Sequence, residues 1–299
     1  MLLPPKEFVQ SPAALDRRYT LTEAEQYTRW LATHHYENFH VVTFLLPKKL
    51  HQDFYNVYSF CRWADDLGDE IGDTAESLRL LAWWRGELES MYGGRATHPV
   101  FVALRGTAER HALPEALFDD LIRAFEQDQV TTRYQTWEDL FGYCRCSANP
   151  VGRLLLRLCG YADERRDQWS DATCTALQLA NFWQDVTVDL QKGRVYLPLD
   201  VVARHGYSLA ELEQHRFTPS FRDAMREAVD VAQGLFERGL PLVQSVNKRL
   251  AFDLGLFSRG GMRVLQKIRA RDYNVLSGRP AISKWERLGL LLTAVRDTL

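Results

Sequence analysis

Two rows of aspartate stand apart from the rest of the chain by their spacing. Asp65 and Asp69 lie near the end of HQDFYNVYSFCRWADDLGDEIGD (51–73), and Asp185 and Asp189 near the end of DATCTALQLANFWQDVTVDL (171–190). Residues four apart share one face of a helix. In the first segment Phe54, Tyr58 and Cys61 recur at four and three, and the same stripe continues into Asp65 and then Asp69. The carboxylates are therefore expected to point where the core points, flanked by Asp66 and Glu70, with Arg62 one turn earlier. In the second segment no charge falls between Asp171 and Asp185, so the helix reads as buried on nearly every side, with Ser170 as its N-cap. One polar line crosses it: Gln178, Asn181, Asp185 and Asp189.

Alone, the first row reads as a solvated acidic helix end, whereas the second already favours a cation over a polar network in the core. Jointly they ask for a cation, because burying unpaired carboxylates is unfavourable. Mg²⁺ suits them: it takes oxygen ligands, keeps some waters and bridges one or two carboxylates to a phosphate. Two inward Asp-x-x-x-Asp faces would form a symmetrical clamp for metal-bound diphosphate. The four aspartates carry four negative charges, and a diphosphate adds about three more. Two or three Mg²⁺ ions and a few basic side chains bring that sum near neutrality. The chemistry would be Lewis-acid stabilisation of a leaving diphosphate.

The elements that position these rows read as helices throughout. The chain has 299 residues, 46% hydrophobic and 25% charged, the proportions of a globular protein with a large core. Apolar residues recur at three and four in 21–35, 75–92 and 221–250, and no reliable alternating run suggests strands. Breakers such as Pro47, Gly93-Gly94, Pro114, Gly160, Pro198, Pro219 and Gly260-Gly261 divide the chain into about ten helices. No Ser/Gly/Pro-rich linker separates two halves, so residues 1–299 are expected to form a single all-α domain.

With 37 basic and 39 acidic residues, nothing in the charge suggests nucleic acid as a partner. The start, Met1 to Gln10, lacks the apolar core of an export signal, and no apolar run is long enough to span a membrane. Five cysteines without a C-x-x-C pair are expected as reduced thiols in a cytoplasmic protein. Trp83-Trp84 reads as packing. Residues 282–299, with Trp285, Leu288 and Leu291 beside Lys284 and Arg287, suit either core packing or peripheral contact with the inner face of a membrane.

Six blocks together resemble the squalene/phytoene synthase family. They are NFHVVTFLLP (38–47), VYSFCRWADDLGDE (57–70), YCRCSANPVGRLLL (143–156), LQLANFWQDVTVD (177–189), GRVYLP (193–198) and IRARDYNVLSGRP (268–280). The resemblance implies the isoprenoid synthase fold, a helical bundle with a central cavity, and a long prenyl diphosphate as substrate. It also implies that Asp65, Asp69, Asp185 and Asp189 hold the Mg²⁺ ions and diphosphate. Arg62, Arg153 and Arg194 become candidate diphosphate contacts. Phe39, Tyr58 and Tyr143 become cavity-lining aromatics, where ring faces steady a carbocation. Gln178 and Asn181, with Tyr196 and Tyr273 in the matched blocks, are assigned to the substrate.

Two positions depart from the usual family pattern. Gln184 stands where arginine commonly precedes the second acidic motif, and Ser147-Ala148-Asn149-Pro150 replaces a run of small residues. Both resemble the bacterial hydroxysqualene synthase branch, which ionises presqualene diphosphate and quenches the cation with water in a route to hopanoids. No NADPH is then expected, and pathway neighbours are the implied partners. Pro150 inside a helix, with Ser147 and Asn149 beside it, offers a place for that water; the plain alternative is a bend around the core. The runner-up activity is head-to-head condensation of two prenyl diphosphates, such as farnesyl diphosphate, to presqualene diphosphate or phytoene. From another class, the chain would be a non-catalytic helical partner of such an enzyme.

Overall fold

The computed structural model describes residues 2–34, 47–283, 286, 289 and 291. Its helices are α1 (Pro5–Val9), α2 (Pro12–Leu15), α3 (Leu21–His34), α4 (His51–Asp69), α5 (Thr74–Tyr92), α6 (Pro99–His111), α7 (Glu115–Val130), α8 (Trp137–Ser147), α9 (Asn149–Leu158), α10 (Glu164–Gln184), α11 (Val186–Gln191), α12 (Leu199–Arg204), α13 (Leu209–Glu213), α14 (Pro219–Gly239), α15 (Pro241–Gln244) and α16 (Lys248–Ala270). Among the described residues there is no strand, only an isolated bridge between Arg133 and Val195, so the fold is all-α as expected. All five cysteines are free thiols. No helix of the described residues is long and apolar enough to cross a membrane. Most of 282–299 and all of 35–46, which contains Phe39, lie outside the described residues.

Contacts divide the chain into two compact units: Met1–Val130 with Pro150–Ala162, and Thr131–Asn149 with Asp163–Leu299. The chain passes from one to the other three times, so no single linker separates them.

In the first unit, α4 is held along its core face, where Phe60, Trp63, Ala64 and Leu67 are fully buried. Trp63 stacks on Trp84 at 4.8 Å, confirming Trp84 as packing, and donates through Nε1 to the Tyr27 hydroxyl at 3.1 Å. Polar pins fix the helix lengthwise. Asn56 accepts from Thr28 at 2.7 Å and donates to the Ala103 carbonyl at 3.1 Å. Asp53 accepts from Thr107 at 2.8 Å and from His111 at 2.9 Å, and pairs with Arg110.

In the second unit, α10 packs on α14 and α16. Trp183 donates to the Ala228 carbonyl at 3.0 Å. A Cβ on Gly239 would strike Thr173, and one on Gly261 would strike Phe236 and Leu177. That close approach explains why Gly260-Gly261 does not break α16, contrary to expectation: the residue is absent of side chain to let helices meet. Two further boundaries differ from the sequence reading. The segment 221–250 is interrupted at Leu240–Pro241, where proline cannot continue a helix. Helix α10 starts before Ser170, because Asp163 caps it by accepting from the Arg166 amide.

Asp253, on α16, is 2% exposed, and neither carboxylate oxygen meets a partner among the described residues. Burial pushes its carboxyl up to about 7. The unfolded group ionises near 3.8, so as pH rises from there toward 7 the folded state alone retains the proton and loses stability relative to the unfolded chain. Asp253→Asn is expected to raise Tm by a few degrees at pH 8 and by clearly less at pH 5, read by calorimetry. Equal shifts at both pH values would contradict this.

Candidate active site

The first acidic row occupies the last turns of α4. The expected stripe is real but is not the core stripe. Phe54, Tyr58, Cys61 and Asp65 are half-buried and Asp69 is exposed, whereas the buried carboxylate is Asp66. The reason is helical phase: Trp63 and Leu67 fix the core face, and Asp66 falls on it while Asp65 lies to one side. Arg62 bridges both, with Nη1 at 3.2 Å from Asp65 Oδ2 and Nη2 paired to Asp66. The Asp65 side chain keeps 42% of its surface accessible. Its carboxyl is nevertheless pushed up to about 6, by crowding and then by Asp69, Asp66 and Glu70, against the pull of Arg62. Cys61, one turn earlier, is likewise pushed up to about 12 by the protein around it.

The second row straddles a bend. Helix α10 ends at Gln184, Asp185 takes φ −106° and ψ 15°, and α11 begins at Val186. Main-chain bonds carry across the bend, from the Asp185 amide to the Asn181 carbonyl at 2.9 Å and from the Asp189 amide to the Asp185 carbonyl at 2.8 Å. The two carboxylates thus stay one turn apart. The polar line is less buried than its sequence suggested: Gln178, Asp185 and Asp189 are half-buried and Asn181 is exposed. Asp189 is pushed up to about 6 by burial and by Asp185, with Lys192 and Arg194 pulling it down.

Beside Asp189 and Arg194 lies a narrow cleft lined by Phe182, Val186, Tyr196 and Leu212. Phe182 stacks on Tyr196 at 3.6 Å, and Tyr143 stands 6.2 Å from Phe182 and 5.6 Å from Tyr134. These rings come from four segments of the chain. A capping box at Thr136 and Asp139 starts α8 and presents Tyr143, while the Val195 amide bonds to the Thr132 carbonyl at 2.9 Å and draws Tyr134 and Tyr196 together. Among the candidates, Asp185, Asp189, Arg194, Tyr143 and Tyr196 therefore gather in the second unit, and Tyr58, Arg62, Asp65 and Asp69 in the first.

Other candidates fall elsewhere. Arg153 belongs to the first unit, where its charge acts on Asp120 of α7. Tyr273 carries Arg226 over its ring at 5.5 Å, and no polar contact among the described residues joins it to Asp185 or Asp189. Pro150 does not interrupt a helix interior: α8 ends at Ser147, and Pro150 sits in the first turn of α9, where a missing N–H is tolerated. Asn149 is buried, and its Oδ1 accepts from Thr175 at 2.9 Å. A charged groove on α5 and α7 has its cations spent in ion pairs, Arg85 with Asp119 and Glu126.

Sequence reasoning missed Arg279. Its guanidinium pairs with Asp185, with Nη2 at 3.1 Å from Oδ2, and meets Gln184 Oε1 at 3.4 Å. Gln184 is buried and donates to the Pro280 carbonyl, which ties down the segment carrying Arg279. The residue lies in the matched block 268–280 but 94 positions from Asp185, beyond the reach of any periodicity.

The donor set fits magnesium. Both rows offer hard oxygen ligands, and Asp65 and Asp189 carry charge that their basic neighbours leave unbalanced. Among the described residues no three His, Cys, Asp or Glu converge on one point. Either row would supply one or two ligands, a number that suits Mg²⁺ when phosphate and water complete its shell.

A squalene/phytoene synthase family model matches residues 32–286. The hydroxysqualene synthase of Zymomonas mobilis is 32% identical over 273 residues, covering 89% of each chain. The phytoene synthase of Thermus thermophilus is also 32% identical, over 86% of this chain and 87% of its own. The crystal structure of squalene synthase HpnC from Alicyclobacillus acidocaldarius superposes with a TM-score of 0.82 at 44% identity, covering 85% of this chain and 96% of that one.

Arg279→Ala removes a cation held against Asp185. Inhibition by free diphosphate in the presence of Mg²⁺ is expected to weaken about tenfold, the loss of a charge-assisted contact. An unchanged inhibition constant would place Arg279 outside the diphosphate's reach.

Proposed function

Because the chain belongs to the squalene/phytoene synthase family, whose members process prenyl diphosphates, we propose that it converts presqualene diphosphate to hydroxysqualene with release of diphosphate. Asp65, Asp69, Asp185 and Asp189 are the residues that would hold magnesium. Bound there, the ions supply Lewis-acid stabilisation of the departing diphosphate. The observation that carries this reading is the two Asp-x-x-x-Asp rows at helix ends, each with an arginine in place, Arg62 beside Asp65 and Arg279 beside Asp185. Arg62, Arg194 and Arg279 take diphosphate oxygens as the leaving group gathers charge. Tyr143, Phe182 and Tyr196 present ring faces to the hydrocarbon cation and keep bulk water from it. The whole chain acts as one domain in this work, at the cytoplasmic side and in contact with the membrane that stores so apolar a product.

Two features favour water as the quencher: the departures at Gln184 and at Ser147–Pro150, and the Zymomonas relative's own activity. The equal identity to a phytoene synthase favours the second reading, condensation of two prenyl diphosphates head to head. Purified protein with Mg²⁺ separates them. Diphosphate release and an alcohol from presqualene diphosphate, but nothing from farnesyl diphosphate alone, is the expected result. Release from farnesyl or geranylgeranyl diphosphate supports condensation, and release from none of them overturns both.

Asp65→Asn and Asp185→Asn are each expected to lower turnover by about a hundredfold or more while leaving the helical circular dichroism unchanged. Wild-type turnover in either variant would remove that row from the chemistry.

A further inference from the structure

The second unit holds a neutral polar corner that the binding of metal and diphosphate does not use. It forms where α8 gives way to α9. Ser147, the last residue of α8, has its Oγ enclosed and without a hydrogen-bond partner among the described residues. Two residues on, Asn149 is 7% exposed, and its Oδ1 is taken by the Thr175 hydroxyl at 2.9 Å. With the oxygen engaged, the Asn149 amide is left to present its Nδ2 hydrogens as donors. Enclosed hydroxyls and amides in native proteins are satisfied by protein or by ordered water.

Location and charge narrow the use of this corner. Ser147 follows Tyr143 by one turn of α8, and Tyr143 belongs to the aromatic group at Phe182 and Tyr196. Thr175 precedes Asp185 by ten residues on α10, about 15 Å along the helix axis. The corner therefore stands back from the acid row, on the elements that also carry the rings. Nothing charged competes there from α8: Arg145 is turned outward to Glu138 at 2.8 Å, and burial pushes the Cys144 thiol up to about 12, so it stays neutral. Neutral groups bind water without pairing with a carbocation, as a carboxylate would.

We propose that Ser147 and Asn149 hold the water that ends the reaction, and that Thr175 is the positioning residue that orients Asn149. The proposal rests on the hydroxylation reading above. The C–O bond to diphosphate breaks with its electron pair leaving on oxygen, and the hydrocarbon becomes a cation. A lone pair of the held water forms the new C–O bond, giving a protonated alcohol. That oxonium loses one proton to the released diphosphate. No electron is gained or lost overall, so no reductant is needed.

The test follows two readouts from presqualene diphosphate and Mg²⁺: diphosphate release, and the alcohol share of the products. Thr175→Val keeps the side chain's shape and removes the hydroxyl. Its diphosphate release is expected to stay within about twofold of wild type, while the alcohol share falls about five- to tenfold, the size of one lost neutral hydrogen bond. Hydrocarbons formed by proton loss should rise in its place. Thr175→Ser is expected to restore the alcohol, and Ser147→Ala to lower it. An unchanged alcohol share in Thr175→Val or Ser147→Ala overturns the proposal. So does a parallel fall of both readouts, which would mark a structural role. Wild-type protein that releases diphosphate without alcohol sinks the hydroxylation reading, and the water site with it.

Discussion

Negative charge that the surrounding protein declines to balance is the constraint on which the site depends. Asp53 shows what balance looks like in the same helix as Asp65. Burial works to raise the Asp53 carboxyl, but His111, Arg110 and Thr107 all bond to it and hold it below its ordinary value. Asp65 has a single arginine for itself and Asp66, with Asp69 and Glu70 close behind, and it goes the other way. Asp189 repeats the pattern. Asp53 is a strut held by three donors, whereas Asp65 and Asp189 have fewer donors around them, and that number makes the difference. Position adds to the imbalance. The first row sits in the last turns of α4, where the helix dipole opposes negative charge, whereas Asp185 joins the C-terminal end of α10 to the N-terminal end of α11. A divalent ion relieves that opposition directly.

Such carboxylates stay in place only on backbones that do not yield. In the first unit the stiffness comes from the far side of α4, through the Trp63–Trp84 stack and the pins at Asn56 and Asp53. In the second it comes from closeness: Gly239 and Gly261 let α14 and α16 approach α10 without an intervening side chain. Each unit thus anchors the stem of the helix that carries its acidic row.

Much of this was legible in the sequence. Fold class followed from apolar periodicity, and the acid rows from four-residue spacing, because both are local properties of a helix. Spacing placed Asp65 on the right stripe but did not say which stripe was core, since Phe54, Tyr58 and Cys61 are apolar enough to mimic one. Gly260-Gly261 read as a breaker because the reason for Gly261, the Phe236 ring, lies on another helix. Arg279 and Thr175 were invisible for the same reason: each acts through one partner distant in the chain. Asp253 gave no signal at all, as one acid among ordinary helical residues.

The glutamine at 184 illustrates how such a distant partner gives meaning to a local departure. The position is 7% exposed and touches both Pro280 and Arg279. An arginine there would set two guanidinium groups against each other beside one carboxylate, with little water to screen them. Glutamine instead donates through Nε2 to the Pro280 carbonyl and accepts through Oε1 from Arg279. It fixes the segment and leaves Arg279 as the guanidinium paired with Asp185.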